Sequence, residues 1–114
     1  PHKLETYSIG LAESEDLKFS SLVAEHLKTR HTQIVVTEQE FFDAIPEVIR
    51  TIETYDTTTI RASVGNYLVA KYISVHSSAK VIFNGDGSDE LTGGYLYCNK
   101  APNDMFFDFC VYNL

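Results

Sequence analysis

Apolar positions along this chain switch repeatedly between a spacing of two and a spacing of three to four, which predicts strands alternating with helices. "LETYSIGL" alternates and stops at Gly10, predicting a first strand near Leu4–Ile9. Ser14 followed by Glu15 and Asp16 is a helix-start signal, with acids near the positive end of the helix dipole. That helix is expected to run to about Thr29, with Leu17, Ala24 and Leu27 facing inward. "HTQIVV" reads as a second strand. Thr37 and Glu40 then make a T-x-x-E capping box, opening a helix that contains Phe41, Ala44 and Ile45. Pro46 has no N–H to donate and its ring crowds the preceding turn. It is expected to kink or restart the helix, with "PEVIRTIET" continuing from it as a first-turn residue.

After the polar joint "YDTTT", the stretch "IRASVGNYLVAKYISVHSS" places Ile60, Val64, Tyr67, Leu68 and Val75 at helical spacing, with Gly65 as a weak point. "KVIFN" is an unbroken apolar run and reads as a third strand covered on both faces. This order predicts an α/β fold, with βαβ units in a right-handed parallel sheet and flanking helices. In such sheets ligands sit beyond the carboxyl ends of the strands. The loops "GLAESED" and "NGDGSDE" fall at such ends.

Composition narrows the chemistry. With 114 residues, 44% hydrophobic and 22% charged, the chain has the make-up of one soluble domain with a core of its own. "NYLVAKYISV" is the nearest thing to a membrane span, and it is short and carries Lys71, so no membrane partner is expected. A net charge of −7 with scattered lysines and arginines argues against nucleic acid, which needs a basic face. It does not argue against nucleotides, because Mg²⁺ can bridge carboxylates to phosphates. Cys98 and Cys110 make no C-x-x-C pair and no secretory signal is present, so a reduced, cytoplasmic setting is expected. His2, His26, His31 and His76 form no zinc-binding pair and are read as ordinary surface or helix residues. The chain starts at Pro1 and reads as part of something longer.

The loop Asn84–Glu90 is the strongest chemical candidate. Gly85 and Gly87 permit a tight turn whose N–H groups can approach an anion. Asp86, Asp89 and Glu90 offer hard oxygen ligands for Mg²⁺, and Ser88 offers a hydroxyl or a helix cap. A solvated Gly/Asp turn is the plainer alternative. The P-loop and EF-hand patterns are both absent. "TTTIRAS" is second: Arg61 near a helix start could bind an anion, or Thr58 or Thr59 merely caps the helix while Arg61 pairs with a surface acid. Lys100 reads as a loop lysine, Tyr95 and Tyr97 as packing residues, and neither cysteine has a base beside it in sequence.

At these motifs the chain resembles the synthetase domain of class-II, glutamine-dependent asparagine synthetases. The matching stretches are "SIGL", "SEDLK", "VAEHL", "IETYDTTTIRAS", "YLVAKYI", "GDGSDELTGGYLY" and "NKAPN", in the family's order. The resemblance covers residues 1–103 as a partial domain and leaves 104–114 as a divergent tail. It implies an incomplete ATP-pyrophosphatase (adenine-nucleotide alpha-hydrolase-like) fold, ATP and Mg²⁺ as cofactors, and L-aspartate, ATP and glutamine-derived ammonia as reactants. In that family the aspartate carboxylate attacks the α-phosphate of ATP, and ammonia then displaces AMP from β-aspartyl-AMP.

Carried over by motif, Ile9 would line the adenine pocket, and Asn84 and Gly85 would offer main-chain contacts to the nucleotide. Asp89 with Glu90 would hold magnesium pyrophosphate. Asp86 would face the intermediate and ammonia, so Asp86, Asp89 and Arg61 are the expected catalytic residues. Thr59, Arg61, Gly87 and Ser88 would shape the aspartate and phosphate pocket. Asn84 and Asp86 stand where the family usually has serine and glutamate, and Cys98 and Asn99 where it commonly has Phe and His. The family's S-G-G-x-D-S loop, catalytic lysine and glutaminase domain are not in these residues, so the isolated chain is expected to be inactive; the resemblance leaves room for a homo-oligomeric parent. The alternative is a truncated, non-catalytic relative acting as a binding module, and a β-lactam-forming ligase of the same fold fits less well.

Overall fold

The computed structural model describes residues 4–96 and 98–112, with side chains described as far as residue 108. The expectations for His2 and Tyr97, and for the Cys110 side chain, lie outside that set. The chain forms two compact units, one ending at Ser78 and one beginning at Ala79.

The first unit runs β1 (Glu5–Gly10), α1 (Glu15–Leu27), β2 (Arg30–Val35), α2 (Glu38–Ile52) and α3 (Thr57–His76). The strands pair in parallel, with Thr6 opposite His31 and Ile9 opposite Ile34. Because side chains alternate along a strand, Glu5, Tyr7 and Ile9 share one sheet face, while Thr6, Ser8 and Gly10 share the other. On the first face the Tyr7 and Tyr72 rings meet edge-on at 6.3 Å, which seats α3 there. On the second, Gln33 reaches the Leu17 carbonyl and the Ser21 hydroxyl of α1.

Each long helix has a legible start. Ser14 Oγ accepts from the Leu17 N–H, opening α1. At α2, Glu40 and Thr37 complete a reciprocal capping box. The cap of α3 is Asp56, which accepts both the N–H and the hydroxyl of Thr59, at 2.8 and 2.7 Å. The expected cap, Thr58 or Thr59, is therefore displaced by a residue three positions before Thr59, which suits the geometry because a cap oxygen must reach the third helical N–H. Helix α1 ends at Leu27 and turns through Lys28 in the left-handed region, φ +55°.

The core lies between α2 and α3. Val48 is fully buried, with Ala44 and Val64 beside it and Phe41, Ile45, Ile52, Ile60, Tyr67 and Leu68 packed around them. Pro46 does not restart the helix: α2 runs unbroken from Glu38 to Ile52 with Pro46 inside it. The ring is on the exposed side, so the loss is confined to one backbone hydrogen bond, outweighed by burial of Ala44 and Val48 on either side. Leu27 and Val75 fit the helical stripe in sequence but are exposed, at 61% and 74%, because each falls in a last turn beyond the packed stretch. His31 is a strand residue rather than a surface or helix one. Its two ring nitrogens meet the hydroxyls of Thr6 and Ser8, and Thr6 also meets Thr29.

The third strand is absent among the described residues. Positions 81–85 carry no regular structure, and Val81, Ile82 and Phe83 are 70%, 59% and 92% exposed. A strand exists only when a neighbour satisfies its backbone N–H and C=O groups. Among the described residues the sheet holds β1 and β2, and "KVIFN" is paired with no strand. Among the described residues the fold is α/β with a two-stranded parallel sheet.

The second unit holds α4 (Ser88–Thr92), a 3₁₀ turn (Cys98–Lys100) and α5 (Asp104–Tyr112). Cys98 is buried. At Gly93, φ +64°, a Cβ would collide with the Phe107 ring, so a glycine is required both by conformation and by the close approach of α5.

Candidate functional site: a glycine- and acid-rich loop

The loop before α4 is held by its own side chains. Asn84 donates from Nδ2 to Asp86 Oδ2 at 2.8 Å and accepts the Asp86 N–H at 2.7 Å, closing a turn around Gly85. The Ser88 N–H donates to the Gly85 carbonyl at 3.2 Å. Gly87 has φ +90°, which side-chain-bearing residues rarely adopt, and open space around it. Ser88 does not cap the helix: Gly87 occupies the cap position, and no side chain bonds the helix start. The first N–H groups of a helix have no acceptor within it. In α1, α2 and α3 a side chain serves, whereas in α4 none does.

Asp89 and Glu90 lie in the first turn of α4. The hydroxyl of Tyr95 donates to Glu90 Oε1, and this bond holds the Glu90 carboxyl below its ordinary pKa. The N–H groups of Gly93 and Gly94 return to the Asp89 carbonyl. Asp86, Asp89 and Lys100 are exposed. Among the described residues, no three His, Cys, Asp or Glu side chains converge tightly enough to hold a metal by themselves.

The remaining expected residues belong to the first unit. Ile9, at the end of β1, points toward α3, its Cγ2 3.9 Å from where a Cβ on Gly65 would stand. Thr59 spends both its N–H and its hydroxyl proton on Asp56. Those two bonds, the backbone one first, hold Asp56 below its ordinary pKa. Arg61 is exposed and lies beside a groove of about 420 Å³ lined by Phe41, Phe42, Ile45, Ile60 and Val64. The surface acid that the plainer reading supplied for Arg61 makes no ion pair with it among the described residues. The structure thus gathers Asn84–Glu90 into one loop and start of helix, and places Ile9, Thr59 and Arg61 in the other unit. Reading by motif missed Asp56 and the Tyr95–Glu90 bond. The first had a signal, the D-x-x-T spacing of a cap, while the second had none.

A parallel sheet with flanking helices and a separate loop of turn glycines followed by paired carboxylates define an α/β protein with a glycine- and acid-rich loop. Comparison with known proteins is more specific. The family model described as asparagine synthase matches residues 1–109, and the chain belongs to that family. It is 47% identical over 102 residues to the glutamine-hydrolysing asparagine synthetases of Homo sapiens and Gallus gallus, and 46% over 103 residues to that of Rattus norvegicus. Each match covers 90% of this chain and 18% of the relative's length, so the chain spans about a fifth of the proteins it resembles.

Proposed function

We propose that these residues contribute part of the nucleotide-binding, aspartate-activating site of an asparagine synthetase of ATP-pyrophosphatase fold. The observation that carries this is the family match over residues 1–109, within which the glycine turn and Asp86 lead directly into the helix that carries Asp89 and Glu90. In the reaction assigned to the full chain, the side-chain carboxylate of L-aspartate attacks the α-phosphate of ATP. The bond from that phosphorus to the bridging oxygen breaks, pyrophosphate leaves, and β-aspartyl-AMP remains. Ammonia, derived from glutamine, then attacks the acyl carbon, giving asparagine, AMP and a proton.

The chain's own groups have separable tasks. Gly85 and Gly87 let main-chain N–H groups approach the phosphates without obstruction. Asn84 holds Asp86 in one orientation, and Asp86 is the carboxylate we assign to the incoming ammonia. Ile9 contributes to the adenine pocket. Thr59, with its proton committed to Asp56, can act toward a substrate only as an acceptor or through its shape. Arg61 is the cation for the aspartate or phosphate pocket.

Asp89 and Glu90 would hold magnesium, and this pair of carboxylates, Asp89 exposed and Glu90 half-buried, fits it: Mg²⁺ is commonly bound by one or two carboxylates plus substrate phosphates. When bound, it neutralises charge developing on the departing pyrophosphate. Aspartate-dependent pyrophosphate release by the full chain, lost in Asp89→Asn, tests this reading. Equal release with and without aspartate would contradict it. The 114 residues alone are expected to be inactive.

A further inference from the structure

Asp89 and Glu90 are successive residues of a helix only five residues long. Successive side chains on a helix diverge by roughly 100° at 3.6 residues per turn. A helix this short is also too small to hold itself. Helix α4 therefore cannot, by itself, aim two neighbouring carboxylates at one place. The residues just past its end address each of them. The chain reverses at Gly93, whose N–H and that of Gly94 both return to the Asp89 carbonyl. Gly94 then lies flat against the Asp89 side chain: a Cβ there would overlap Asp89 Oδ1 and come within 3.1 Å of its Cγ. One residue on, the half-buried Tyr95 donates its hydroxyl to Glu90 Oε1. Phe107 of α5, seated against Gly93, backs the reversal from behind.

We infer that Gly94 and Tyr95 are the positioning residues for the paired carboxylates, Gly94 by admitting Asp89 and Tyr95 by holding Glu90 in one rotamer. This rests on the reading of Asp89 and Glu90 as the groups that hold magnesium pyrophosphate. Neither Gly94 nor Tyr95 need touch the ligand. Carboxylates that bind metals are commonly oriented by a hydrogen bond from outside the metal's own ligands, and losing that partner weakens binding by roughly 10- to 100-fold.

The test uses the full chain and measures binding of Mn²⁺ with pyrophosphate by loss of the free-ion spin-resonance signal. Tyr95→Phe keeps the ring and removes only the hydroxyl. It is expected to weaken binding about tenfold, with the circular dichroism spectrum and melting temperature of the parent. In a Glu90→Gln background the same change is expected to do nothing further, a coupling that a merely structural role would not produce. Gly94→Ala is expected to weaken binding through Asp89. If Glu90→Gln weakens binding while Tyr95→Phe matches the parent, the inference is overturned and the functional reading stands. If Asp89→Asn and Glu90→Gln both bind like the parent, the functional reading itself falls, and the inference with it.

Discussion

Gly10→Ala should destabilise the first unit, although Gly10 has no special backbone angle. A Cβ at this position would stand 2.6 Å from Ser14 Oγ and 3.2 Å from Leu17 Cγ. Ser14 can rotate away only by abandoning the Leu17 N–H that it caps, a loss of about 1 kcal/mol. Leu17 is 4% exposed and must shift within a packed site, where crowding costs about 1–3 kcal/mol. Against this, alanine restricts the unfolded chain and returns about 0.4–1 kcal/mol. The net expectation is a loss of about 1–3 kcal/mol, read from urea unfolding followed by circular dichroism. A double-mutant cycle separates the two contacts. In a Ser14→Ala background the hydroxyl is gone and the cap already lost, so Gly10→Ala should cost about 1 kcal/mol less there. A cost below about 0.5 kcal/mol, or an equal cost in both backgrounds, would refute the argument that the β1–α1 turn is closed this tightly.

Val48→Ala removes two methyl groups from a fully buried side chain of the core and should cost about 2–3 kcal/mol by equilibrium unfolding, from lost burial and the cavity left behind. Gly65→Ala should go the other way: its nearest neighbour across the helix face is Ile9 at an ordinary 3.9 Å, so the gain in helix propensity, about 0.5–1 kcal/mol, should appear as a raised melting temperature. The pH dependence comes from Asp56 and Glu40, both held below their ordinary values of 3.8 and 4.5, chiefly by the N–H groups of Thr59 and Thr37. A carboxylate with a depressed folded pKa adds stability that is fully present above its unfolded pKa and lost as pH falls through the folded one. Acid titration should therefore show stability declining below about pH 4.5, with a shallower decline in Asp56→Asn.

What the sequence could and could not disclose divides along physical lines. The capping box of Thr37 and Glu40, the Ser14 start and the Val64 stripe were legible because each depends on residues within one or two turns of one another. The restart expected at Pro46 did not occur because propensity is local, whereas the burial of Ala44 and Val48 that overrides it is tertiary. "KVIFN" misled for the same reason in reverse: its apolar run satisfies the pattern of a covered strand, but a strand is a pairing, and among the described residues no strand pairs with it. At the candidate site, glycine and carboxylate types were readable. The Tyr95–Glu90 bond was not, because it depends on the chain reversing at Gly93.

The central claim is that the full chain joins aspartate to the α-phosphate of ATP, and the fate of the carboxylate oxygen tests it most directly. Aspartate labelled with oxygen-18 in its side-chain carboxylate is turned over with ATP and glutamine, and the products are analysed by mass spectrometry. One label atom should pass into AMP for each asparagine formed, leaving pyrophosphate unlabelled. Label in pyrophosphate or inorganic phosphate, or AMP formed without label, would contradict the account.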